Sequence, residues 1–515
     1  MVVCSGDMRF AIVDCYTDEP SGLGVPPYLG VYPRYLAGVV LSHNHQCHYL
    51  RIDDLRQKLR QVKQKATDLH TDILTHNATR NGENAVKILK NADYIIVVAG
   101  IHTPGRYLSA VPGTLKEVTS YLKGFKAKRL LVGPVARGSM QFGGRQVVVD
   151  KELFKEFDAI LGEEGWLELD AMLSGTHKPT LEGFYARLRD VAILGASIVD
   201  QIRLPIIVEI ETGKGCPRGA GCSFCVEPLK SKPEWREQAD ILAEISALAK
   251  HGVEHFRLGK QSDFYSYKGG SLEQIEGLLK PLTKLKLKTL HIDNVDPAIA
   301  STERGERITQ LIVKYCTPGN VAALGVESFD MNVIKANNLN STPEQVLKAI
   351  ASINKYGAKR GENGMPKYLP GINLLLGLIG ENKQTLKINL EYLRMILDKG
   401  WLVRRINIRQ VDVFPGTLLH KLAGTKYLKK NRKHYFGFRR RVREEIDHEM
   451  LKRVAPVGTQ LRDVFMEVHR GYHTFGRQFG SYPLVVGTNM KLDLREFYTM
   501  RVTGHMLRSV IAVPC

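Results

Sequence analysis

The sequence predicts an α/β protein built from an N-terminal parallel sheet wrapped by helices, a central run of six βα units forming a partial barrel, and a small C-terminal α+β module. Three observations lead there. From about residue 8 to 165, short apolar runs alternate with stretches of helical periodicity, as when parallel strands are linked by crossover helices. The alternation restarts at Leu204 and gives six strand candidates in about 210 residues, the pattern of a parallel barrel, open or closed. After Gly416 the chain turns basic, and its last 35 residues alternate like strands.

In order, the N-terminal strands are expected at residues 10–15, 47–52, 94–99, 129–133 and 159–162, with helices near 33–40, 55–77 and 115–125. Ligands of such sheets bind in the loops at the strands' carboxyl ends. Those loops carry Gly22, Leu23, Gly24, Thr103, Gly133, Pro134, Gly162 and Glu163, and glycine lets backbone come close to a ligand. The second series has strands at 205–211, 255–258, 289–292, 322–327, 372–378 and 406–413, with helices such as 233–250 and 343–355. The expected domains are 1–170, a helical linker 171–203, the barrel 204–420 and the basic module 421–515. Residues 426–443 hold nine Lys/Arg and no acid.

Composition bounds the function. The chain has 515 residues, 43% of them hydrophobic, with 73 Lys+Arg against 53 Asp+Glu for a formal +20. Length and apolar content exclude a disordered chain. The longest apolar runs, 204–208 and 372–379, fall short of the ~18 residues of a membrane span. No cleavable signal is seen, so a soluble cytoplasmic protein is expected. The positive excess points to an acidic partner: nucleic acid, a polyanionic cofactor or an acidic protein.

Three of the eight cysteines stand together in Cys216-Pro-Arg-Gly-Ala-Gly-Cys222-Ser-Phe-Cys225, directly after the first strand of the second series. Structural zinc asks for four closed ligands, and no fourth cysteine or histidine pair lies nearby. Three thiolates suit a [4Fe-4S] cluster with one iron left open. The histidines, among them His102, His255, His291 and His505, are scattered and read as packing or surface residues.

This cysteine loop resembles that of the radical S-adenosylmethionine (SAM) enzymes, with the first gap lengthened to five residues and the aromatic before the last cysteine kept as Phe224. Further resemblances follow down the barrel. Gly325-Val-Glu327-Ser328 is similar to the family's fourth-strand segment, Asn373-Leu-Leu-Leu-Gly377-Leu-Ile-Gly380-Glu381 to the fifth-strand segment beside the SAM adenine, and Phe414-Pro-Gly-Thr417 to the end of the core. The family's second-strand Gly-Gly-Glu is replaced by Arg257-Leu-Gly-Lys-Gln261, which leaves Gln261 as the candidate for the SAM amine. Residues 26–37, including Pro26 and Tyr28, and residues 157–165 resemble the Rossmann-like cobalamin-binding domain that precedes many radical SAM cores. The histidine-ligating motif of other cobalamin proteins is missing, since Ile73 stands where Asp68-x-His70 would need glycine.

The resemblance implies a cobalamin-dependent radical SAM C-methyltransferase. One SAM yields the 5′-deoxyadenosyl radical, a second methylates the cobalamin, and the methyl goes to an unactivated sp³ carbon. It implies no catalytic triad, and a reductant for the cluster. The tail, residues 501–514, and the strand Phe256-Arg-Leu-Gly259 resemble an archaeal group. Its closest functional fit is the enzyme that methylates a glutamine of methyl-coenzyme M reductase, a protein substrate the basic module would dock. RNA is the lesser partner, through a resemblance to tRNA-modifying methylthiotransferases. That family carries three further N-terminal cysteines, whose wide spacing Cys4, Cys15 and Cys47 do not match. A non-enzymatic iron-sulfur or RNA-binding protein is the remaining alternative.

Overall fold

A computed structural model describes residues 7–19, 22–59, 75–100, 108–137, 139–142, 145–148, 151–162, 165–176 and 183–515. The chain divides into two compact units, one of residues 1–210 with 239–254 and the other of residues 211–238 with 255–515.

The first unit is built on five parallel strands, β1 (Arg9–Asp14), β2 (Gln46–Arg51), β3 (Tyr94–Val98), β4 (Lys128–Val132) and β5 (Ala159–Ile160), in the order β5-β4-β3-β1-β2. The central strands are apolar because helices cover both faces: Phe10 to Val13 and Ile95 to Val98 are fully buried. Chain order reverses between β1 and β3, and ligands of such sheets bind at this switch point, outside the strands' carboxyl ends. A short strand, Tyr28–Leu29, pairs in parallel with β6 (Ile207–Glu211).

Helices α1 (Val31–Ser42) and α2 (Phe184–Gly195) pack backbone against backbone. A Cβ on Gly38 would lie 1.9 Å from the Val191 carbonyl oxygen, and one on Gly195 2.0 Å from that of Arg34. Residues 171–203, expected as a linker, therefore supply a packed helix of this unit. So does α3 (Gln238–Lys250), whose buried Glu244 pairs with Arg34 of α1. The expected helix at 55–77 is helical at Ile52–Lys58. Residues 60–74, with Asp68, His70 and Ile73, lie outside the described residues, as do His102, Thr103 and Glu163.

In the second unit β7 (His255–Gly259) pairs in parallel with β8 (Thr289–Ile292). A four-stranded parallel sheet follows in the order β9 (Asn294–Val295), β10 (Asn320–Glu327), β11 (Tyr368–Leu376), β12 (Arg405–Gln410). The expected strand at 289–292 thus continues after a break at Asp293, which splits the ladder. Asp293 turns its carboxylate to Arg257 and the Tyr482 hydroxyl, and its carbonyl accepts from the Ala323 amide. The helix expected at 233–250 begins only at Gln238, because Glu234–Trp235 pairs antiparallel with Gly213–Lys214 and closes the cysteine loop.

The basic run forms α5 (Lys426–Val442), which follows the short helix α4 (Leu418–Leu422). Asn431, Tyr435, Phe438 and Val442 make its buried stripe, the 3–4 spacing of an amphipathic helix. Asn431 donates to the Glu381 carbonyl at 3.0 Å and Tyr435 to that of Ile408 at 3.2 Å. The chain ends in a closed barrel of β13 (Gln460–Arg470), β14 (His473–Gln478), β15 (Leu484–Thr488), β16 (Phe497–His505) and β17 (Val510–Pro514), in the order β13-β14-β15-β17-β16.

Two buried histidines join this small barrel to the parallel strands. His291 Nε2 bonds the Pro318 carbonyl, and its Nδ1 accepts the Ser481 amide, which fixes the neutral tautomer. His255 bonds Thr289 and packs on Phe479. Burial lowers their pKa values to about 4 and about 3, against an ordinary 6.5. Both are therefore neutral in the fold, and the stability this gives is present above pH 6.5 and lost as pH falls below it. We expect this unit to lose about 2 kcal/mol per histidine between pH 6.5 and 5. Denaturant melts monitored across that range check it, and an unchanged midpoint would contradict the assignment.

Candidate functional site

The three cysteines lie in one loop of the second unit, held open by glycines. Gly215 has φ 74°, and a Cβ there would meet the Lys232 carbonyl oxygen at 2.6 Å. Gly221 has φ 61°, and a Cβ there would meet the Pro228 ring at 2.3 Å. Only glycine allows either turn. The Cys225 amide donates to the Cys222 carbonyl, and Arg218 reaches back to the Cys222 sulfur at 3.2 Å.

Asn337, which carried no sequence signal, ties this loop to the rest of the site. It is fully buried. Its Oδ1 accepts from the Ser223 hydroxyl at 2.7 Å and the Ile379 amide at 3.1 Å, its Nδ2 donates to the Ile379 carbonyl at 2.8 Å, and its carbonyl accepts from the Ser223 amide. One side chain thereby spaces the cysteine loop from the Gly377–Gly380 segment. Asn338 donates to the Gly221 carbonyl at 2.6 Å and accepts Arg218 through its own carbonyl at 2.9 Å. Side chains that bridge loops in this way are set by tertiary contact and leave no periodic trace in sequence.

Burial pushes all three thiols up, Cys222 and Cys225 to about 12, and each of the two feels the negative charge of its neighbouring cysteines. Among the described residues, no group of three His, Cys, Asp or Glu converges as ligands of a single metal ion. In a cluster each cysteine takes a different iron, so its sulfurs stand farther apart than those around one zinc.

The carboxyl ends of β10, β11 and β12 each present an acid, buried at Glu381 and half-buried at Glu327 and Asp412. Glu327 closes β10 at a bulge with φ 61°, a conformation costly for any residue with a Cβ and retained where the surroundings enforce it. Its burial pushes the carboxyl up to about 8, and Arg409 offsets only part of that; its charge also bears on Cys222. After β11, Glu381 accepts the Gly377 amide at 2.6 Å through one oxygen, while the other has no hydrogen-bond partner and burial raises the acid to about 7. After β12, Asp412 has no partner beyond the neighbouring Val413 amide and rises to about 6 through burial. Glu381 and Asp412 lay in segments the sequence had marked, but alternation alone gave no sign that their carboxyl groups were uncompensated.

Among the other expected SAM contacts, Gly377 and Gly380 have φ 99° and 86°, and Phe224 packs against the cluster of Leu378, Val411, Val413 and Leu419. Ser328 uses its hydroxyl to accept the Asp330 amide at 3.1 Å. Gln261, expected at the SAM amine, is engaged elsewhere: its Oε1 accepts from the Thr212 hydroxyl at 3.0 Å and its Nε2 donates to the Leu258 carbonyl at 3.3 Å. Its amide closes a strand end, and Oε1 keeps a second lone pair beyond the Thr212 bond.

In the first unit, several loop glycines serve the chain's own close approaches. A Cβ on Gly24 would lie 2.3 Å from the Thr17 hydroxyl, one on Gly133 2.4 Å from the Ala99 carbonyl oxygen, and one on Gly162 2.5 Å from the Glu168 carboxylate. Gly22–Leu23 pairs with Asp18–Glu19 as a small hairpin, and Pro134 opens a 3₁₀ turn. Pro26 and Tyr28 are buried, Tyr28 in register with Ile207. Gly24, Gly133 and Gly162 still line the loops following β1, β4 and β5. Beyond β5, the buried Trp166 Nε1 has no hydrogen-bond acceptor.

Residues 210–393 match the family model of the radical SAM superfamily. The chain belongs to that superfamily. This radical SAM protein is similar over nearly its whole length to an uncharacterized protein of Methanocaldococcus jannaschii, at 44% identity over 98% of this chain and 92% of the relative. It is more distantly similar to a tRNA-2-methylthio-N(6)-dimethylallyladenosine synthase of Azobacteroides pseudotrichonymphae, at 22% identity over 46% of this chain and 51% of that one. Its fold is like that of the radical SAM methyltransferase TsrM from Kitasatospora setae, solved with cobalamin and a [4Fe-4S] cluster, with TM-score 0.52, 13% identity, 80% of this chain and 74% of that one. It is also like the cobalamin-dependent SAM radical enzyme OxsB, solved with aqua-cobalamin and SAM, with TM-score 0.51, 12% identity, 84% of this chain and 56% of that one. No helix of the described residues is long and apolar enough to cross a membrane.

Proposed function

We propose that this protein is a cobalamin-dependent radical SAM C-methyltransferase. Cys216, Cys222 and Cys225 would hold a [4Fe-4S] cluster that binds SAM, and the loops at the carboxyl ends of β1 and β3 would hold cobalamin. The observation that carries the reading is the set of three acids with raised pKa values, Glu327, Glu381 and Asp412, at the ends of consecutive strands in the unit that bears the cysteines, of which Glu381 and Asp412 keep carboxylate oxygens with no hydrogen-bond partner. Buried carboxyl groups without cations are costly, and SAM brings two, a sulfonium and an ammonium.

When bound, the cluster supplies the electron that splits SAM into methionine and a 5′-deoxyadenosyl radical, and methylcobalamin supplies the methyl group. The chain's own residues bind and orient. Along with Gln261, Glu327 is the residue we assign to the SAM ammonium. Gly377 and Gly380 let backbone approach the adenine, and Asn337 holds that segment in register with the cysteine loop. Phe224, Leu378 and Val413 exclude water from the same region.

Fit of the first unit to cobalamin rests on the strand-order reversal and on Gly24 and Gly133, which keep the loops after β1 and β4 close to the sheet. The acceptor we propose is an sp³ carbon of a glutamine side chain in a protein, with methyl-coenzyme M reductase as that protein; the archaeal resemblance of residues 501–514 supports it. Exposed cations of α5, including Arg432, Lys433, Arg439 and Arg440, would dock an acidic surface of such a substrate. Anaerobic titration with hydroxocobalamin, followed by gel filtration and cobalt assay, tests the cobalamin half. We expect about one cobalt per chain and a shifted optical spectrum; no retained cobalt would remove the methyltransferase reading.

A further inference from the structure

Beside the cysteine loop the surface carries an apolar patch with a basic rim. Leu229, Leu418 and Leu422 are 58%, 48% and 67% exposed, although α4 is otherwise anchored by the buried Leu419. A Cβ on Gly416 would lie 3.6 Å from Leu229, so the turn before Leu418 abuts that side chain. The patch is one hydrogen bond from the cluster ligands: the Leu419 amide donates to the carbonyl of Ser223, between Cys222 and Cys225, at 2.7 Å. Leu419 and Ala423 pack in the same cluster as Cys222 and Phe224.

The rim is positive. Lys421 is exposed at the end of α4, and a single turn at Gly424 leads into α5, where Lys426, Lys429 and Lys430 are exposed; none of the four pairs with an acid among the described residues. The carboxylate on the neighbouring turn, Glu227, is folded onto Lys230 at 2.6 Å.

We infer that this face docks an acidic one-electron carrier protein that reduces the cluster. The inference rests on the proposed radical SAM reading and names where its reductant binds. In each encounter one electron leaves the reduced carrier, which is oxidised by one electron, and enters the cluster, which is reduced by one. Interfaces of electron carriers are small and transient, and complementary charge sets their encounter rate. A few exposed leucines ringed by lysines meet both requirements. Electron transfer also favours a short path, and this surface lies directly over the loop that carries the ligands.

The test compares two reductants on the cluster-loaded full chain, with 5′-deoxyadenosine formed from SAM as readout. One is dithionite, which needs no docking surface, and the other is reduced flavodoxin, an acidic one-electron carrier. For Leu422→Glu, and separately for the double variant Lys426→Glu/Lys429→Glu, we expect the flavodoxin-driven rate to fall ~10-fold or more at low salt. The dithionite-driven rate should stay at the wild-type value. Flavodoxin-driven rates equal to wild type in both variants would overturn the docking site. So would unchanged cleavage with either reductant but lost modification of the acceptor, which would assign the face to substrate. Absence of dithionite-driven cleavage in the wild type would instead overturn the radical SAM reading itself.

Discussion

Cys222→Ala is expected to abolish reductive SAM cleavage, with 5′-deoxyadenosine falling to the level of buffer, while the first unit keeps its fold. The thiolate is one of three proposed cluster ligands, and no other cysteine, histidine or acid among the described residues completes a metal-binding group with the remaining pair. The substitution lies in a loop, outside the five-stranded sheet of residues 9–160. The loss should therefore be chemical and not global. Circular dichroism and iron content measured beside the product assay separate the two. Cleavage at the wild-type rate with Cys222 removed would contradict the ligand assignment.

Glu327→Gln should have two effects of opposite sign. With the carboxylate gone, SAM loses a charge-assisted partner worth about 1.5–3 kcal/mol, or roughly 10- to 150-fold in affinity. In the protein without cluster and SAM, the same change should stabilise. The folded acid has its pKa raised to about 8 from an ordinary 4.5, so the folded state keeps its proton longer than the unfolded state. Stability therefore falls as pH rises from 4.5 through 8. Glutamine has no such loss: wild type and variant should melt alike near pH 5, and the variant should melt higher at pH 8.5. Equal melting at both pH values, together with unchanged SAM affinity, would show that Glu327 neither faces SAM nor carries the strain assigned to it.

Much of this fold was legible because its strands are buried on both faces, which writes each one as a continuous apolar run such as Phe10 to Val13. Spacing likewise exposed the cysteine loop. The remainder depended on contacts between segments far apart in sequence. The break at Asp293 arises because one carboxylate meets Arg257 and Tyr482. The role of Asn337 arises because the cysteine loop and the Gly377 segment come within one side chain of each other. Gln261 sat at the expected place in the chain, yet Thr212, 49 residues away, claims its amide oxygen. Residues 171–203 showed their helix, but the close approach of Gly38 to Val191 that makes it part of the first unit has no signature beyond a glycine.

The charge of +20 also takes a place in the fold. Much of it lies on the solvent side of α5, whose opposite face is fixed by Asn431 and Tyr435. In the proposed function the acids at the ends of β10, β11 and β12 meet the cationic SAM, and the exposed cations of α5 meet acidic macromolecules.

The most direct test of the central claim, a single radical SAM cluster on Cys216, Cys222 and Cys225, is the iron and acid-labile sulfide content of the anaerobically reconstituted chain. About four of each per chain, falling to background in the triple cysteine-to-alanine variant, is the predicted result. About eight irons per chain would reveal a second cluster and favour a methylthiotransferase, and a lone zinc in place of iron would contradict the account outright.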